Sequence, residues 1–160
     1  MKTLAIALCA ATGLASMAYA ETDLLDEGDN WMVTYSDTVD QCVVHVQDDL
    51  GALLIGRDPD GVHHFNFFLE TYIGENPQVM LTFRLPKAKT LGATRQLEYH
   101  KGYEGYHIYS FKPERKLIDL FWVGERLWGN EPGEPSILDV RIEFDNDMHY
   151  AFHKCIKERL

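Results

Sequence analysis

From Trp31 onward the sequence is a succession of short runs in which apolar and polar side chains alternate, separated by turn-forming residues. Alternation with period two gives each run one face to bury, which is how a strand of an antiparallel sheet behaves. The cleanest run is Leu138, Val140, Ile142 and Phe144 alternating with Asp139, Arg141 and Glu143. Val79, Leu81, Phe83 and Leu85 alternate with Met80, Thr82 and Arg84, and Pro77 and Pro86 close the run at either end. Cys42, Val44 and Val46 alternate with Val43, His45 and Gln47, and Trp31–Tyr35 is rich in β-formers. Pro59-Asp60-Gly61 separates the apolar run Ala52–Ile55 from Val62–Leu69. Pro presets φ, Asp hydrogen-bonds backwards and Gly accepts positive φ, so a hairpin is expected with Phe65, Phe67 and Leu69 facing inward. A further pair, Gln96–His100 with Tyr106–Phe111, is joined across Lys101–Gly105. Residues 87–95 read as a basic, polar connector, 129–135 as a loop and 21–30 as a loose acidic lead-in.

Two segments depart from the period of two. Leu117–Trp122 follows Pro113 and suits a short helix. In the tail, Ala151, Phe152, Cys155, Ile156 and Leu160 fit a helical face, whereas Met148, Tyr150 and Phe152 fit a strand. Period alone does not separate these readings, and a terminal helix is the one adopted. Many short strands with turns between them make the chain mainly β. The expected architecture is one antiparallel β-sandwich or barrel-like domain over residues 21–160, with one or two short helices, one of them C-terminal. No internal repeat, low-complexity tract or linker divides it.

The N-terminus belongs to a different physical regime. Lys2 precedes an apolar run from Leu4 to Met17, and Ala18-Tyr19-Ala20 puts small residues at the positions a signal peptidase reads. Residues 1–20 therefore read as a signal peptide rather than a membrane anchor, the run being short and interrupted by Gly13. No later stretch is long and apolar enough for an integral membrane helix, so the expected destination is the periplasm or the medium. Cys9 leaves with the signal, and Cys42 and Cys155 remain. A metal-thiolate or redox pair would favour close spacing such as Cys-x-x-Cys. Two distant cysteines in an oxidising compartment favour one structural disulfide.

The chain carries a net charge of -10, and -11 over residues 21–160. That sign excludes generic binding to a phosphate backbone, so no nucleic-acid partner is expected. A basic exported protein is the partner such a surface attracts. Catalytic signatures are missing: no Ser lies in Gly-x-Ser-x-Gly, no phosphate loop or dinucleotide fingerprint occurs, and no cofactor is implied. Asp58-x-Asp60-Gly61 matches part of a calcium loop, but Leu69 stands where the twelfth-position Glu belongs. The chain reads as a binding module more readily than as an enzyme.

Two constellations are candidate sites. Tyr99, Tyr103, Tyr106 and Tyr109 are interleaved with Gly102 and Gly105 on the expected hairpin. Rigid amphipathic rings of this kind make recognition surfaces, although cross-strand aromatic pairing accounts for them equally simply. His149 and His153, four apart, fall on one side of a helix or strand and are candidate metal ligands. Between them lie Tyr150-Ala151-Phe152 and Lys154 follows, so the metalloprotease general base is absent.

Taken in order, the signal peptide, Trp31 and Cys42, a Gly51-containing hairpin, alternating strands, Leu117–Trp122, and a last strand running into Tyr150-Ala151-Phe152 and Cys155 resemble the invasion-associated locus B family of bacterial exported proteins. The resemblance implies a mainly β fold without established catalytic residues and a role in host-cell contact. It transfers no functional residue.

Overall fold

The computed structural model describes residues 22–48, 51–100, 105–142 and 146–160. The signal peptide expected over residues 1–20, Tyr103 and Phe144 lie outside them. Among the described residues, eleven strands, two α-helices and a short 3-10 turn at Pro86–Ala88 follow one another. They are β1 (Thr22–Glu27), β2 (Trp31–Ser36), β3 (Gln41–Asp48), β4 (Gly51–Arg57), β5 (His63–Leu69), β6 (Gln78–Leu85), β7 (Lys89–Gln96), β8 (Glu98–Tyr99) and β9 (His107–Phe111). Helix α1 (Arg115–Val123), β10 (Arg126–Asn130), β11 (Ser136–Arg141) and helix α2 (Asn146–Arg159) complete the chain.

The strands form two antiparallel sheets. One has seven strands in the order β1-β2-β3-β4-β5-β9-β8, and the other has four in the order β11-β10-β6-β7. Strand β11 packs across β3, β4 and β5, so the sheets lie face to face as a sandwich and the described strands do not close into a barrel. The alternation read from sequence sets the faces. Val33, Cys42, Val44, Val46, Leu53, Ile55, Phe65, Phe67 and Leu69 of the large sheet meet Val79, Leu81, Phe83, Leu127, Leu138 and Val140 of the small one in a single core. Phe65 ties the large sheet to α1, its ring 5.5 Å from Phe111 and 6.2 Å from Phe121. A smaller cluster of Val43, Ala52, Leu54, Phe68 and Ile108 occupies the opposite face of the large sheet. On that face His45 Nε2 lies 2.8 Å from Thr34 Oγ1, and burial pushes the His45 imidazole down to about 4.

The Pro-Asp-Gly turn forms as its chemistry requires. Gly61 N–H donates to the Asp58 carbonyl at 3.0 Å, Val62 N–H donates to Asp58 Oδ1 at 2.8 Å, and Gly61 has φ +80°. Asp58 is committed to the turn and to His64, 3.3 Å away.

Helix α1 buries Leu117 and Phe121, an i, i+4 pair. Helix α2 buries Met148, Ala151, Phe152 and Cys155, a spacing that only a helix brings to one face. The strand pattern through Tyr150 fails because that ring is 69% exposed. Cys155 is bonded to Cys42 of β3, with the Cα atoms 6.0 Å apart, and this fastens α2 over β1, β2 and β3.

Three sequence expectations are corrected. The segment 21–30 is not loose throughout: β1 pairs with β2, although all six of its side chains are exposed. Asp23 also accepts from Arg159 at 3.2 Å. The connector at 87–95 is largely β7, paired residue for residue with β6 from Gln78↔Gln96 to Leu85↔Lys89. Residues at the 129–135 loop begin inside β10, which inserts between β6 and β11. Edge strands facing solvent need no apolar alternation, so β1 and β7 are held by a neighbour's backbone rather than by their own pattern.

Candidate functional site

The short strand β8 pairs with β9 so that Tyr99 lies opposite Tyr109, and His100 N–H donates to the Ile108 carbonyl at 2.7 Å. The segment connecting β5 to β6 is strapped to the same edge: Tyr99 N–H donates to the Glu75 carbonyl at 3.0 Å and Leu97 N–H to the Pro77 carbonyl at 2.9 Å. That strap delivers Tyr72, which sequence reasoning had not selected. Its ring stands 5.1 Å from Tyr99 and 5.4 Å from His107, in edge and tilted contacts. Its hydroxyl donates to Glu75 Oε1 at 2.9 Å, which pushes the phenol's pKa up.

Of the four tyrosines singled out in sequence, Tyr103 lies outside the described residues, and Tyr99, Tyr106 and Tyr109 do not share one surface. Tyr109 is fully buried. Its ring is 5.2 Å from Tyr99, and its hydroxyl accepts from the Ile73 backbone N–H at 2.8 Å. Burial raises its pKa. Expecting Tyr109 to meet a partner is therefore corrected: it is a core ring that anchors the strap carrying Tyr72. Tyr106 packs against the Val43–Ile108 cluster on the far face of the sheet. Tyr99 is half-buried between Tyr72, His107 and Tyr109. The ring presented to solvent is Tyr72, 47% exposed. The available clue was its place in a Glu70-Thr71-Tyr72-Ile73-Gly74 turn beside a Phe-rich strand, but only pairing at the sheet edge puts it next to Tyr99.

Beside Tyr72 opens a groove of about 600 Å³ between Thr71–Ile73 and the 131–137 loop, with Ile73, Pro132 and Ile137 as apolar lining and Glu131 and Glu134 as acidic ones. Glu75 and Glu131 both act on the Tyr109 hydroxyl, so their charges converge at this end. The arrangement has a rigid aromatic wall, an apolar lining and negative charge.

The histidine candidates lie elsewhere, where α2 meets α1. His149 Nε2 and His153 Nε2 are 2.9 Å apart. The Trp122 ring is 4.8 Å from that of His149 and 6.3 Å from that of His153. Burial, then His149, then Arg57 lower the His153 pKa, and His63 is lowered by burial and, among its neighbours, by Arg57 and His153. The β4–β5 hairpin thus reaches the same corner. Among the described residues no group of three or more His, Cys, Asp or Glu is arranged to hold a metal ion, and no helix is long and apolar enough to cross a membrane.

No protein-family model matches the chain, and no curated protein matches it. Among solved structures, invasion associated protein B from Bartonella henselae superposes with a TM-score of 0.61 at 18% identity, covering 88% of this chain and 100% of that one. The buried disulfide is a feature of proteins in oxidising, extracytoplasmic compartments, and the chain shares the fold of that invasion-associated protein.

Proposed function

We propose that this chain is an exported, non-enzymatic binding module, periplasmic or secreted, that docks a basic segment of another exported protein at the Tyr72 end of the sandwich. The observation that carries the reading is Tyr72 itself: a half-exposed ring clamped by Tyr99, His107 and Glu75 at the lip of a groove with two glutamates. A ring already held in place loses little entropy on binding, and it offers a face to Lys or Arg. Glu75, Glu131 and Glu134 add attraction for cations, in keeping with the overall charge of -10. The signal-like N-terminus, the disulfide and the fold shared with an invasion-associated protein support an exported role.

The test compares capture from envelope and culture-medium extracts by the oxidised protein and by two variants, Tyr72→Ala and the pair Glu131→Gln/Glu134→Gln. A basic protein retained by the parent, released by salt, and lost with both variants at unchanged melting temperature supports the site. Retention unaffected by either variant, or no salt-sensitive partner at all, refutes it.

A further inference from the structure

We propose that His149 and His153 form a two-imidazole chelate for a divalent transition metal, copper(II) foremost, on the solvent side of α2. The two residues stand one helical turn apart, and their Nε2 atoms are 2.9 Å apart. Two metal–nitrogen bonds of about 2.0–2.1 Å meeting at a right angle separate their nitrogens by about 2.9 Å, whereas a tetrahedral angle requires about 3.3–3.4 Å. The pair is thus close enough for both imidazoles to reach one ion once the hydrogen bond between them is given up. Copper(II) heads the affinity order for imidazole donors.

The pair is pre-organised from outside its own helix. Trp122 of α1 stands against both imidazoles, and the two rings pack edge to face with centroids 4.3 Å apart. The proton lying between the two Nε2 atoms moves to the Nδ1 of its own ring as the metal enters, so binding needs no redox step. His153 is exposed and His149 partly so, and an ion therefore reaches the pair from solvent. The positive Arg57 works against an ion held by charge alone. With two nitrogen donors and no third His, Cys, Asp or Glu arranged with them among the described residues, the corner discriminates against calcium and magnesium, which need several oxygens.

The experiment titrates the untagged, disulfide-bonded protein with copper(II), following calorimetry, tryptophan emission and the electron paramagnetic resonance spectrum. The expected result is one bound copper with nitrogen couplings in its spectrum, strong quenching because Trp122 touches the site, and no response to calcium or magnesium. His149→Gln and His153→Gln each weaken affinity on the order of tenfold or more, because each removes one of two protein donors. Trp122→Phe removes most of the quenching while copper still binds. The proposal is overturned if the double His149→Gln/His153→Gln variant binds copper with the parent's affinity and spectrum. It is equally overturned if the parent binds no stoichiometric copper.

Discussion

Breaking the Cys42–Cys155 bond is the perturbation whose magnitude the structure defines best. The bond joins residues 113 apart in sequence, so in the unfolded chain it closes a loop that spans most of the domain. The chain-entropy relation assigns such a loop about 5 kcal/mol of stabilisation. A domain of this kind has only about 5–15 kcal/mol in total, so the cross-link accounts for a third or more of it. Both cysteines are buried, at 0% and 2% exposure. The double variant Cys42→Ala/Cys155→Ala therefore avoids sinking serine hydroxyls into an apolar site, and it adds about 1 kcal/mol for the lost sulfur packing. Dithiothreitol-reduced parent protein keeps the sulfur atoms and isolates the cross-link itself. With a urea slope of about 2 kcal/mol/M, loss of the bond moves the unfolding midpoint down by about 2.5 M. The slope itself should rise, because the released unfolded chain is more expanded. Circular dichroism through a urea series on oxidised, reduced and double-alanine protein measures all three. A midpoint shift below about 0.5 M in the reduced protein would refute the reasoning. It would mean that Met148, Ala151 and Phe152 hold α2 in place without help and that the unfolded chain is already compact.

Three shorter predictions follow from single residues. Tyr109→Phe leaves the partly buried Ile73 N–H without its acceptor and costs about 1 kcal/mol by denaturant unfolding; no loss would show that the strap does not depend on that bond. His45, held near 4 in the folded protein against an ordinary 6.5, binds its proton first in the unfolded chain. Its contribution is complete above pH 6.5 and falls by about 3 kcal/mol as pH drops to 4, and His45→Gln flattens that part of the stability–pH curve. A curve unchanged by the substitution would contradict this. Gly61→Ala, at φ +80°, destabilises by about 1 kcal/mol measured by melting temperature, and Gly61→Asn, which tolerates that conformation, by less. Equal losses would place the cost elsewhere.

The sequence by itself determined the elements whose own side chains enter the core. Period two in β3, β5, β6 and β11, the Pro-Asp-Gly turn and the Leu117–Phe121 helix are local patterns that burial rewards directly, whereas the tail fitted a helix and a strand until packing buried Met148 beside Cys155. The pairing of Cys42 with Cys155 was legible because only these two cysteines lie outside the apolar N-terminal run. Tertiary structure alone decided the rest. Strands β1 and β7 exist because a neighbour's backbone offers hydrogen bonds to chain that has little of its own to bury. The tyrosines separated for a similar reason: Tyr106, just before β9, and Tyr109 within it fall on opposite faces of the sheet, and Tyr109 lies in the core with its hydroxyl on the Ile73 amide. Tyr72 reaches Tyr99 across a sheet edge formed by residues distant in sequence. The His149–His153 spacing was visible in the sequence, but the Trp122 wall and the Arg57 field that define its chemistry come from other elements. A linear pattern reports what each segment must bury, and which segments then meet depends on long-range packing that no single segment encodes.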